Sequence, residues 1–230
     1  PYSIIFVSIP RMSYILRNEG KEKYEEKLNN SISSLLFIIV PMCFGIFVLA
    51  KEIIALYAGE KYVTAVIPLM IASMVRIFVS LESVMNNLVM YPNDREDRIL
   101  KVSLSCGALN LIMNYLLVFF DILNPSTAMI TTGISEIIVF ICHYIYARKK
   151  MNLNVEIFTK RNLLYLIIGI LFIPLSLIIR TFNLSFVVNL CLIVAACIIL
   201  YFGVLLLTKD NNLIFILSKF KFKIGKGDKK

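Results

Sequence analysis

The sequence predicts an all-α fold: a polytopic transmembrane helix bundle of about six full spans plus the end of a preceding one. Three observations predict it. Hydrophobic residues make up 59% of the 230 and charged residues only 17%, with a mean hydropathy of +0.81. A soluble domain sits nearer about 45–50% apolar, and a globule this poor in charge would struggle to cover itself. Second, six apolar runs reach the roughly 20 residues that a helix needs to cross a hydrocarbon core. Third, the basic residues alternate between loops. Of 24 Lys and Arg, 20 fall on one side of the predicted bundle, three (Lys51, Lys61, Arg180) on the other, and Arg76 lies inside a span. That contrast is the positive-inside pattern, and a missed or extra helix would scramble it.

The elements follow in order. Tyr2–Ile9 reads as the tail of a spanning helix, ended by Pro10. The chain opens at Pro1 within an apolar run, without an initiator Met, so the expectation is the C-terminal part of a longer protein. Residues 11–30 are polar, and Glu19 and Lys23 are spaced as an i,i+4 pair on a surface helix. The spans are then Ser31–Ala50, Thr64–Tyr91, Val102–Phe120, Ser126–Ala147, Asn162–Ile179 and Leu184–Thr208. Pro41 and Gly45 predict a kink in the first, with Pro68 and Pro174 acting similarly later. Such prolines are tolerated where a neighbour satisfies the freed carbonyl. The outer loops (Lys51–Val63, Asp121–Pro125 and Arg180–Asn183) leave no room for an external domain. The tail, Asn212–Phe222, alternates apolar residues with Lys219 and Lys221; an inner-leaflet helix and a solvated end both fit it. Lys223–Lys230 is expected to be disordered. The location that follows is a membrane, crossed several times, with the C-terminus in the cytoplasm.

The formal charge of +9 does not point to nucleic acid, because the basic residues are divided among alternate loops. Cys43, Cys106, Cys142, Cys191 and Cys197 all lie in apolar runs without a CxxC, so they read as small buried hydrophobes. No cofactor or metal is expected.

The chemistry concentrates in spans two to four. Arg76, Ser80, Ser83 and Asn87 fall within about 40° of one another on a helix. A centrally placed Arg or Glu costs about 2.5–3.5 kcal/mol in hydrocarbon, so these residues belong against protein or a wet cavity. Glu82 lies about 120° around from Arg76, so each needs a partner elsewhere. In the third span Ser103, Asn110 and Asn114 share a face. In the fourth, Thr132, Glu136 and His143 do. Two readings stand for these stripes: a hydrated cavity walled by three helices, or interhelical hydrogen bonding with an Arg76–Glu136 ion pair. His143, near the basic end of its span, is an interfacial residue or a proton-coupling one. The last two spans are expected to be more peripheral. There is one His, no HExxH, no GxSxG and no Gly-rich phosphate loop, so no catalytic constellation appears.

Pro10-Arg11-Met12-Ser13, the charged loop, the span with Pro41 and Gly45, and then residues 49–62 (LAKEIIALYAGEKY) resemble the bacterial oligosaccharide-lipid flippases. These are the O-antigen and capsule polysaccharide exporters of the multidrug/oligosaccharidyl-lipid/polysaccharide superfamily. Ala147-Arg148-Lys149 fits the same pattern. The resemblance implies two helical lobes around a cavity, with residues 1–150 forming second-lobe helices that line it. Residues 151–208 would add two C-terminal helices, and 209–230 a basic cytoplasmic tail. The resemblance also implies the bacterial cytoplasmic membrane as the location. The partners implied are the missing N-terminal lobe, membrane lipids and an undecaprenyl-pyrophosphate-linked oligosaccharide, moved from inner to outer leaflet by alternating access. Arg76 would meet phosphate, while Ser83, Asn87, Asn110 and Asn114 would meet sugar. Glu82, Glu136 and His143 are the candidates for ion coupling. The rival readings are a cation-coupled multidrug exporter of the same superfamily and a membrane polysaccharide polymerase or acyltransferase.

Overall fold

A computed structural model describes the backbone at residues 2–182 and 184–224 and the side chains at 9–182 and 184–218. The expectations for Lys219, Lys221 and the end of the tail beyond 224 lie outside the described residues. Every regular element described is helical: α1 Tyr2–Asn18, α2 Lys21–Val48, α3 Ala50–Tyr57, α4 Val66–Val84, α5 Glu96–Phe119, α6 Pro125–Lys149, α7 Lys160–Arg180, α8 Phe186–Leu207 and α9 Asn211–Ile224. Among the described residues six segments are long and apolar enough to cross a membrane, matching the six predicted spans.

Pro10 does not end α1, which runs through it to Asn18. A mid-helix proline costs about 3 kcal/mol, and burial opposes that cost here: Met12 and Ile15, on the far side of Pro10, are 3% and 4% exposed. The break comes instead at Gly20, whose φ of 90° favours glycine. From Lys21 the polar segment and the first span form one 28-residue helix. Tyr24, Leu28 and Ile32 explain this continuity. They recur every four residues, share a face, and are all fully buried. The Glu19–Lys23 pair forms at 3.5 Å.

The outer loop expected at Lys51–Val63 is largely helical, with α3 and a 3₁₀ turn at Glu60–Ala65 joined through Gly59 at φ 87°. The second span is α4 followed by a π-helical turn, Met85–Met90, and a 3₁₀ turn, Tyr91–Asn93. Caps fix several boundaries. Asn124 accepts from the backbone N–H of Ser126 and Thr127 ahead of Pro125, and Thr159 accepts from Asn162 N–H. Asp210 accepts from the N–H of Asn212 and Leu213 to start α9.

Packing runs neighbour to neighbour in the order α5–α6–α4–α2–α7–α8, with α1 laid against α2 and the π turn. The core therefore centres on α2, which buries twelve residues, while α5 buries only Cys106 and is an edge helix. Of the last two spans, α8 is peripheral but α7 is not. Tyr165, Ile168 and Phe172 seat it on α2, and Gly169 faces the Phe44 ring so closely that a Cβ there would lie 2.5 Å from it.

Candidate functional site

The α4 stripe forms, with its members in different surroundings. Arg76 is exposed, Ser80 and Ser83 are buried, and Asn87 is half-buried. The Ser80 hydroxyl donates to the Arg76 carbonyl at 2.8 Å, and Asn87 Nδ2 donates to the Ser83 carbonyl at 2.8 Å and to its Oγ at 3.2 Å. Each bond spans one turn, so the string lines the helix instead of crossing to a neighbour. The Arg76 guanidinium is close enough to the Cys43 thiol of α2 to act on it electrostatically.

Glu82 takes its hydrogen bond from Asn86 Nδ2 on its own helix. The π turn starts three residues after Glu82, and its wider i→i+5 winding shifts the register of the side chains that follow. Across the α4–α6 interface Glu82 and Glu136 lie within electrostatic range of each other. Both groups are half-buried.

Asn110 and Asn114 belong to a second cluster. Asn114 Nδ2 donates to Asn110 Oδ1 at 3.0 Å, and Thr131 Oγ1 on α6 donates to Asn114 Oδ1 at 2.9 Å. Asn110 Nδ2 is buried without a partner. Ser103, expected on the same face, is exposed. The residues proposed for substrate divide into two groups: Arg76 and Ser83 on α4 with Asn87 on the π turn that continues it, and Asn110 and Asn114 at the α5–α6 seam; α6 stands between α5 and α4, while the π turn also touches α5. Thr131 was not singled out by the sequence pattern, which picks its neighbour Thr132. Thr132 instead bonds back to the Ala128 carbonyl at 2.9 Å.

His143 is fully buried, and neither ring nitrogen has a hydrogen-bond partner. Arg98, assigned by the sequence to a basic loop, lies in the first turns of α5. Its guanidinium sits 3.8 Å above the Tyr146 ring and within electrostatic range of His143. The signal for Arg98 was the Arg–Tyr pairing between adjacent spans, which spacing alone does not reveal. No group of three or more His, Cys, Asp or Glu residues among the described ones could hold a metal ion.

An exposed arginine midway along a long apolar segment, with amide and hydroxyl groups on neighbouring helices, offers hydrogen-bond donors and a positive charge within a membrane-length segment. The family model of lipid II flippase MurJ matches residues 1–208. The chain belongs to the MurJ lipid II flippase family. No match is found among curated proteins. The MurJ match supports the flippase part of the resemblance, and it names lipid II where the sequence motifs resembled O-antigen and capsule exporters. A MurJ-family chain is a multi-pass membrane transporter of lipid-linked precursors and not an enzyme, which sets aside the polymerase and acyltransferase readings.

Proposed function

We propose that the protein moves lipid II, the lipid-linked peptidoglycan precursor, from the inner to the outer leaflet of the bacterial cytoplasmic membrane. The observation that carries the site assignment is Arg76: an exposed guanidinium at the midpoint of a 34-residue apolar segment, Glu60–Asn93, in a MurJ-family chain. Against acyl chains that placement would cost about 2.5–3.5 kcal/mol, whereas on a wet face it supplies a planar fork for phosphate oxygens.

In this reading the exposed side of α4 faces a second lobe of the same chain. The lipid's tail stays in the bilayer while its headgroup crosses between the lobes as they rock about the site. Arg76, Ser83 and Asn87 meet the pyrophosphate and the first sugar. Asn110 and Asn114 contribute from the α5–α6 seam, and Glu82 with Glu136 offers paired carboxylates for a coupling ion. The basic loops and the C-terminus face the cytoplasm in this reading, which the charge alternation supports.

The test is Arg76→Ala in the cell's own full-length gene, with membrane abundance measured alongside. The expected result is precursor held in the inner leaflet at normal protein levels, with partial recovery in Arg76→Lys, which keeps charge but loses the fork. Wild-type translocation by an abundant Arg76→Ala protein would remove the site. Build-up of a capsule-type lipid-linked repeat in place of lipid II on depletion would instead favour the oligosaccharide-exporter reading. Altered drug tolerance with normal precursor export would favour the drug-exporter reading.

A further inference from the structure

The helix after the last span is clamped to the bundle at its start. Residues 208–210 alone separate α8 from α9. Lys209 has a φ of 51°, and the Asp210 N–H donates to the Leu205 carbonyl at 3.0 Å, so the chain turns sharply at the end of α8. Asp210 is 5% exposed and accepts from the Tyr165 hydroxyl of α7 at 2.7 Å as well as from the first turn of α9. Asn212 Nδ2 donates to the Tyr165 oxygen at 3.1 Å, and its Oδ1 accepts from the Ser34 hydroxyl of α2 at 3.2 Å. Tyr165 lies in the second turn of α7. The start of α9 is therefore level with the ends of the spanning helices.

From Asn211 to Leu217 α9 carries no charge. At 100° per residue Leu213, Ile214, Phe215 and Ile216 point all round the helix. Leu213 is buried and Ile216 packs against the core, whereas Ile214, Phe215 and Leu217 are 49%, 59% and 46% exposed. A helix that is apolar all round needs apolar surroundings on every side, and the bundle supplies only one. The second half of α9 differs. It carries Lys219, Lys221 and Lys223, and no acidic residue occurs anywhere in the helix.

We infer that α9 is a docking helix for anionic lipid. Its first half lies at the acyl–headgroup boundary, where Ile214 and Leu217 leave water, and its lysines meet lipid phosphates. Continuity selects this occupant: α9 leaves a membrane-length helix through a tight turn, and that helix exposes Ile199, Phe202 and Leu206. Charge selects it too, because lysines of one sign behind an apolar stretch match an anionic surface better than a second apolar protein face. The assignment is independent of which precursor the chain moves.

The experiment is hydrogen–deuterium exchange of the full-length protein in nanodiscs of phosphatidylcholine alone or mixed with phosphatidylglycerol. Each lysine near an anionic surface is worth about fivefold in partition, so exchange at residues 213–224 should be about tenfold or more slower in the anionic discs. Added salt should erode the difference. Lys219→Gln/Lys221→Gln/Lys223→Gln should abolish it, and Ile214→Ser/Leu217→Ser should speed exchange in both discs. Unchanged exchange in α2 and α7 establishes that each variant is folded. Equal exchange of the unmodified protein in the two discs would overturn the assignment: if fast, the end is solvated, and if slow, protein covers it. A lipid effect that survives the lysine changes, or exchange untouched by the serine changes, would overturn it as well.

Discussion

The hydroxyl of Tyr201 on α8 donates to the carbonyl oxygen of Phe37 on α2 at 2.6 Å, four residues before Pro41. Pro41 has no N–H, so the Phe37 carbonyl lacks its intrahelical donor, and the tyrosine supplies one from across the interface. A second buried tyrosine also bonds a backbone carbonyl of another helix: Tyr24 of α2 donates to the Leu88 carbonyl of the π turn at 2.5 Å. Both tyrosines are buried, at 3% and 0% exposure, so each phenol also fills core volume.

Tyr201→Phe should therefore lower stability by about 1–2 kcal/mol, the cost of an unsatisfied carbonyl in an apolar interface. The decisive form is a double-mutant cycle. With Pro41→Ala the new N–H can close the bond to Phe37, so Tyr201→Phe should cost much less in that background. Unfolding in mixed micelles measures all four proteins, and additive losses would refute the carbonyl-capping account.

Much of the architecture was legible because bilayer thickness and loop charge are read residue by residue. Arg148, Lys149 and Lys150 after one run and Lys51 and Lys61 after another were enough to place six spans. The proline rule was legible too, although the sequence could not say which tyrosine would serve Pro41. Three features were not legible. Pro10 inside α1 depends on the burial of Met12 and Ile15 by helices distant in sequence. The π turn after Val84 shifts Asn86 and Asn87 away from a strict 100° wheel. The pairing of Asn114 with Thr131, and not with anything in α4, depends on α6 being the neighbour of α5.

Glu52 and Arg180 form a second long-range tie. Arg180 reaches both oxygens of Glu52, at 2.8 and 3.0 Å through one nitrogen, and donates to the Val48 carbonyl at 2.7 Å. Glu52 lies in the first turn of α3 and Arg180 in the last turn of α7, so each charge also suits its helix dipole. The Glu52 side chain is 9% exposed and that of Arg180 33%. Glu52→Ala is expected to destabilise by roughly 1.5–3 kcal/mol, and Arg180→Lys by a smaller amount through loss of the fork. Melting temperatures that rise or stay level in Glu52→Ala would contradict this.

Gly169 tests close packing. A Cβ there would sit 2.5 Å from the Phe44 ring, while at Gly203 nothing lies within 4 Å. Gly169→Ala should cost about 1–3 kcal/mol through overpacking. Gly203→Ala should gain up to about 1 kcal/mol from helix propensity. Phe44→Leu should soften the Gly169→Ala loss. Equal effects at the two glycines would rule out the steric explanation.

The α5–α6 seam separates the two roles open to Asn114. As interhelical glue it accepts from Thr131 at 2.9 Å, and such bonds in membranes are worth about 0.6 kcal/mol on average and about 1.7 at most. The single Thr131 hydroxyl proton has the Ala128 carbonyl as an alternative acceptor at 2.9 Å, so Asn114→Ala leaves that hydroxyl satisfied and the structural loss should fall at the low end. If Asn114 touches the headgroup as well, transport should fall well beyond what that small loss of stability explains, while Thr131→Ala should leave transport close to normal. The comparison is precursor translocation per molecule of folded protein in the two variants. Parallel, mild losses in both would assign Asn114 to packing alone and confine the substrate path to the α4 face around Arg76.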